Sequence, residues 1–93
     1  MRELMTIFAE STPDRLHSAE ASIAAGDFEA AAVALHSLCS ASGTVGAGRL
    51  VELARRLEQA ARGEAAEELA AGFSQLRLEA EGVLRAARRL SSS

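Results

Sequence analysis

Residues 69–90 read Leu-Ala-Ala-Gly-Phe-Ser-Gln-Leu-Arg-Leu-Glu-Ala-Glu-Gly-Val-Leu-Arg-Ala-Ala-Arg-Arg-Leu. Leu69, Phe73, Leu76, Ala80, Val83, Ala87 and Leu90 follow one another at steps of four and three. That spacing puts them on one face of a helix. Arg77, Glu79, Glu81, Arg85 and Arg88 fall off the seam. The helix should run from about Glu64 to about Leu90, on the order of 40 Å at 1.5 Å per residue. Gly72 and Gly82 each weaken it by about 1 kcal/mol, so packing against neighbours must hold it.

Working back along the chain, the same period recurs three times. Leu50, Leu53, Ala54, Leu57 and Ala61 form one stripe, with Glu52, Arg55, Gln59 and Arg62 opposite, and Gly63 reads as its carboxyl cap. Phe28, Ala31, Ala32, Leu35, Leu38, Cys39 and Ser42 form another. Gly26 ends the helix upstream, and Asp27 is a good amino cap. Gly46 and Gly48 break the chain before Leu50. Met5, Phe8, Leu16, Ala19 and Ile23 mark the first helix, where Thr12-Pro13 is a place for a restart or kink. Four helices joined by turns of a few residues must pack as antiparallel neighbours. The expectation is an all-α, up-down-up-down four-helix bundle: a single domain over 1–93, with helices at about 2–25, 27–44, 47–62 and 64–90 and a frayed Ser91–Ser93. Its core should hold Leu35, Leu38, Leu50, Leu53, Leu57, Phe73, Leu76 and Val83.

Composition narrows the function. The 93 residues include 21 alanines, three Phe, no Tyr or Trp, and no lysine, so all ten cations are arginine. The net charge is −3 and there is little aromatic surface for bases, which argues against nucleic acid as a partner. No apolar run is long enough for a signal peptide or a membrane insertion. A single cysteine makes no internal disulfide and suits a reducing compartment, the cytoplasm.

Few side chains can carry chemistry. A phosphate-binding loop is missing, because Gly43, Gly46 and Gly48 lack the strand and the lysine it requires. No Ser-His-Asp set stands out, and His36 with Cys39 supplies only two ligands, so no metal site is expected. His17, beside Asp14 and Glu20, reads as a solvated surface residue. Cys39 falls inside its apolar stripe and reads as a small core residue. His36 stands at the edge of that stripe with Ala32, Ser40 and Gly43 at helical neighbour spacing. A polar ring among small side chains can be approached face-on, and Val33, an apolar residue at an exposed position, extends the surface a partner would meet. Spacing alone favours the plainer reading, a partly exposed histidine at a stripe boundary.

The run Leu35-His36-Ser37-Leu38-Cys39-Ser40-Ala41-Ser42-Gly43-Thr44-Val45-Gly46-Ala47-Gly48-Arg49-Leu50 resembles the phosphorylation segment of histidine-containing phosphotransfer domains. That family's pattern is His-x-Leu-Lys-(Gly/Ser)-x-(Ala/Ser)-x-x-x-Gly-Ala-x-x-Leu. His36, Leu38, Ser40, Ser42, Gly46, Ala47 and Leu50 fall in register without a gap. Ile23-Ala24-Ala25-Gly26-Asp27-Phe28 is similar to the family's Ala-Gly-Asp-aromatic turn, Ala54-Arg55-Arg56-Leu57-Glu58 to its helix ending in Leu-Glu, and Phe8 to its early aromatic.

The resemblance implies the four-helix bundle and a phosphoryl group carried on His36. The exchange runs with an aspartate of a response-regulator receiver domain, and a histidine kinase catalytic domain, as in the chemotaxis kinases, is a second partner. The receiver would bring the Mg²⁺ and its carboxylates, with no cofactor bound by this chain. Nothing here could hold ATP, so the chain is a carrier, alone or as part of a histidine kinase, and no autonomous kinase. Docking should use Ala32, Val33, Cys39, Ser40, Gly43 and Arg49. One departure stands out: the family usually places lysine, near the phosphoryl group, where this chain has Cys39. Charge neutralisation must then come from Arg49, from elsewhere on the third helix, or from the partner. Two other readings compete: a degenerate module that docks receivers without transfer, and a purely structural helical bundle.

Overall fold

The computed structural model describes residues 2–92 and contains four helices: α1 Arg2–Ala25, α2 Phe28–Thr44, α3 Gly48–Arg62 and α4 Ala66–Ser92. They pack as a ring in the order α1·α2, α2·α3, α3·α4 and α4·α1, with neither diagonal pair in contact among the described residues, in a rod of 41 × 20 × 18 Å. Along α2 and α3 the pairing runs in opposite directions, His36 meeting Glu58 and Gly43 facing Val51; Arg49 meets Glu79 across α3 and α4, and Arg77 meets Glu20 across α4 and α1. The all-α antiparallel bundle expected from the stripes is the observed fold.

All three turns close in the same way. At the end of α1, Gly26 N–H donates to Ile23 and Asp27 N–H to Ser22; at the end of α2, Gly46 donates to Gly43 and Ala47 to Ser42; at the end of α3, Glu64 donates to Ala61 and Ala65 to Ala60. This doubly bonded cap requires a left-handed residue, and Gly26 and Gly46 supply it at φ 72° and 75°. The third turn departs from the sequence reading. Gly63 sits at φ −88°, and the left-handed residue is Glu64 at φ 56°. The turn therefore takes Gly63, Glu64 and Ala65, and α4 begins at Ala66 instead of about Glu64. Asp27 caps α2 by accepting from the Ala30 N–H at 3.1 Å. Ala47 gives α3 no side-chain cap, so packing holds that end.

The core holds Leu35, Leu38, Leu50, Leu53, Leu57, Phe73 and Leu76, with Phe8 from α1. Val83 is only partly buried, and Leu84 takes its place. A four-three repeat falls behind a helix of 3.6 residues per turn by roughly 20° every seven residues. Over α4 this carries Val83 to the edge and leaves Leu90 exposed. Gly72 leaves room for a side chain of α3: a Cβ there would lie 2.5 Å from Leu57 Cδ2. Pro13 does not break α1, which is one continuous helix. Thr12 beside it is fully buried, and its Oγ1 has no hydrogen-bond partner. At the carboxyl end Ser91 and Ser92 belong to α4, and Ser93 lies outside the described residues.

Candidate functional site

The middle of α2 and the facing half of α3 enclose an open groove of about 600 Å³, lined by His36, Cys39, Ser40 and Gly43 from α2 and by Val51, Arg55, Glu58 and Arg62 from α3. His36 stands at its edge with 65% of its side chain exposed. Its ring is tethered: Nδ1 lies 3.2 Å from Glu58 Oε1. Glu58 is itself held from the far side, since Arg62 Nε and Nη2 donate to its Oε2 at 3.0 and 2.7 Å. The Glu58 side chain is only 14% exposed. Burial pushes its carboxyl upward, but the hydrogen bonds from Arg62 and His36 and the charges of both outweigh burial and hold it below the usual carboxylate value.

An ionised Glu58 can only accept, so the neutral ring must carry its proton on Nδ1. Nε2 is then left with a lone pair and no partner among the described residues. A neutral imidazole with a free lone pair, on a rigid helix and open to solvent, is a nucleophile.

The other candidate positions divide. Ser40 and Gly43 line the groove beside His36 and are exposed. Cys39 is half-buried there, with its Sγ 3.7 Å from the Val51 carbonyl oxygen, to which it donates. Val33 is 64% exposed but borders a different groove, between α1 and α2, with Arg15 and Ser37. Ala32 is a correction: it is 2% exposed, because it lies on the α3 side of α2, in a cleft shared with Ala61 and Arg62. Arg49 is exposed but does not line the groove of His36. It turns to α4, where its Nε donates to Glu79 Oε1 at 3.1 Å. His17 is exposed on α1 and lines none of these grooves. No cluster of three or more metal-ligating side chains exists among the described residues, and none of their helices is long and apolar enough to cross a membrane.

Glu58, Arg62 and Arg55 are the charged groove residues that sequence reasoning left without a role. A usable signal was present: in an antiparallel hairpin, residues equally far from the turn lie level. Counted from Ala47, that rule brings Glu58 opposite His36.

Comparison with known proteins agrees with this geometry: the family model described as Hpt domain matches residues 3–87. No curated protein and no solved structure matches the chain.

Proposed function

The chain belongs to the Hpt domain family, whose members carry out histidine phosphotransfer in two-component signalling, and from that premise we propose that His36 is its phosphoryl acceptor. The observation that supports this best is the Arg62–Glu58–His36 chain, which fixes the tautomer and leaves Nε2 free on an exposed ring. In the reaction the Nε2 lone pair attacks phosphorus and the N–P bond forms. The bond from phosphorus to the donor oxygen breaks, and that oxygen leaves with the electron pair. The donor is an aspartyl phosphate of a receiver or the terminal phosphate of a nucleotide bound by a kinase domain. No proton need leave Nε2. The ring takes on imidazolium character, and the Glu58 carboxylate at Nδ1 stabilises that charge. Return of the group to a receiver aspartate is the reverse sequence. Phosphoryl transfer depends mainly on alignment and charge stabilisation, so a rigid helix with an accessible ring is a sufficient contribution from this side. On this reading Mg²⁺ and the remaining carboxylates belong to the receiver, which docks over His36, Ser40 and Gly43, and the exchange takes place in the cytoplasm.

Incubation with an ATP-charged kinase or a phosphorylated receiver should give an acid-labile, base-stable label. His36→Gln should abolish the label while leaving helical content unchanged and stability within about 1 kcal/mol, since the ring lost is largely exposed and Glu58 keeps its bonds from Arg62. His17→Gln should keep it. A label that survives in His36→Gln would overturn the assignment. A second reading, docking without transfer, is favoured by Cys39 in the place of the family lysine. It predicts receiver binding with no label on the wild-type chain.

A further inference from the structure

The groove beside His36 holds two cations, and they are not equivalent. Arg62 is committed, with two donors on Glu58 Oε2. Arg55 is exposed, lines the same groove, and has no hydrogen bond or ion pair among the described residues. Its level along the groove follows from the pairing of the two helices. His36 meets Glu58, and a side chain at Gly43 would touch Val51 at 3.9 Å. Between these two points Arg55 stands opposite Cys39, one helical turn from the ring. One turn is about 5.4 Å, within the reach of an arginine side chain.

We propose that Arg55 binds the oxygens of the phosphoryl group once that group is on His36: it is the cation that α3 supplies to the groove where position 39 of α2 supplies none. The proposal rests on the reading of His36 as acceptor and adds to it the residue that counters the new charge. A phosphoryl group on Nε2 brings up to two negative charges into a groove whose own carboxylate, Glu58, is already there. Arg62 cannot turn to the phosphoryl oxygens without releasing Glu58. The remaining charged groups are farther off or engaged: Arg49 with Glu79 on α4, Arg15 with Ser11 and Ser37 on the α1 side, and Glu29 two turns back along α2. Arg55 is free, and its guanidinium matches phosphoryl oxygens in a bidentate geometry.

The test needs no protein partner. Phosphoramidate labels histidine directly: the N–P bond to Nε2 forms as the bond to the ammonia nitrogen breaks, and ammonia departs with its electron pair. Phosphorus NMR then follows the titration of the phosphoryl group in the wild-type chain and in Arg55→Ala, Arg55→Lys and Arg56→Ala. Arg56 lines the opposite groove with Leu53 and Gly72, so it serves as the control. A nearby cation favours the doubly charged form, so Arg55→Ala should raise the phosphoryl midpoint by about 0.3–0.7 pH units at low salt. The gap should shrink at high salt. Arg55→Lys should remain near wild type, and Arg56→Ala should match it. Identical titrations for wild type and Arg55→Ala, with the label on His36, would overturn the role of Arg55 and leave the acceptor assignment standing. A wild-type chain with no label on His36 would overturn the acceptor assignment and this proposal with it.

Discussion

Glu58 accepts from two donors at once, and its charge state therefore sets both the ring's tautomer and part of the stability. Its carboxyl is held below its ordinary value of 4.5 in the folded chain. A depressed carboxylate adds stability above its unfolded value and loses it as pH falls through the folded one. Glu58→Gln should therefore be less stable than wild type near neutral pH, and the difference should close as the pH falls from about 5 through the lowered value. Urea unfolding across that range measures it; a gap that stays constant into acid would mean that the carboxylate is not the source. The same variant keeps an acceptor for Nδ1 but removes the charge, so phosphoryl transfer should slow by about 10–100-fold, the rate equivalent of a 1.5–3 kcal/mol charge-assisted bond. At this scale the sequence was partly legible. A helical wheel gave His36, Ser40 and Gly43 their exposed edge, because it needs only the axis of α2. It could not say which neighbour covers Ala32 or which way Arg49 turns, since both depend on where α3 and α4 lie.

The elements were legible where backbone rules act locally. Gly26 and Gly46 announced their turns, and Asp27 its cap. Glu64 did not, because a left-handed glutamate is tolerated only when the bonds on either side fix it, here from Glu64 and Ala65 back into the last turn of α3. Glu64→Gly should relieve that conformation and stabilise the chain by about 0.5–1 kcal/mol, the steric gain offset in part by greater freedom of the unfolded glycine. Thermal unfolding of the single variant decides it, and a loss of stability would mean that the glutamate is held by contacts worth more than its strain. The exchange of Val83 for Leu84 was beyond the reading for a different reason. A wheel puts Val83 on the seam and Leu84 beside it, and only the drift of a long helix against its neighbours exchanges them.

At the scale of the whole molecule, four stripes and three short turns left little choice of architecture, which is why the fold class could be read without any tertiary contact in hand. The ring of contacts nevertheless has one member unlike the rest. Three interfaces join helices linked by two or three residues; α1·α4 joins helices separated by the length of α2 and α3 together. Closing so long a loop has an entropic cost that grows with the logarithm of its length, about 0.6 kcal/mol per doubling. Helix α1 also carries Pro13 and the unpartnered Thr12, and a detached helix of its length is marginal in water. The bundle should therefore open first by release of α1, with its amides exchanging with deuterium at a lower opening free energy than those of α2 and α3. Equal protection across all four helices would show that opening is global. Because His36, Glu58 and Arg62 all belong to the α2–α3 hairpin, a molecule caught with α1 swung away would keep these three side chains in register while exposing the apolar inner wall behind them. That half-open state would present to a partner a broader and stickier face than the closed rod ever shows.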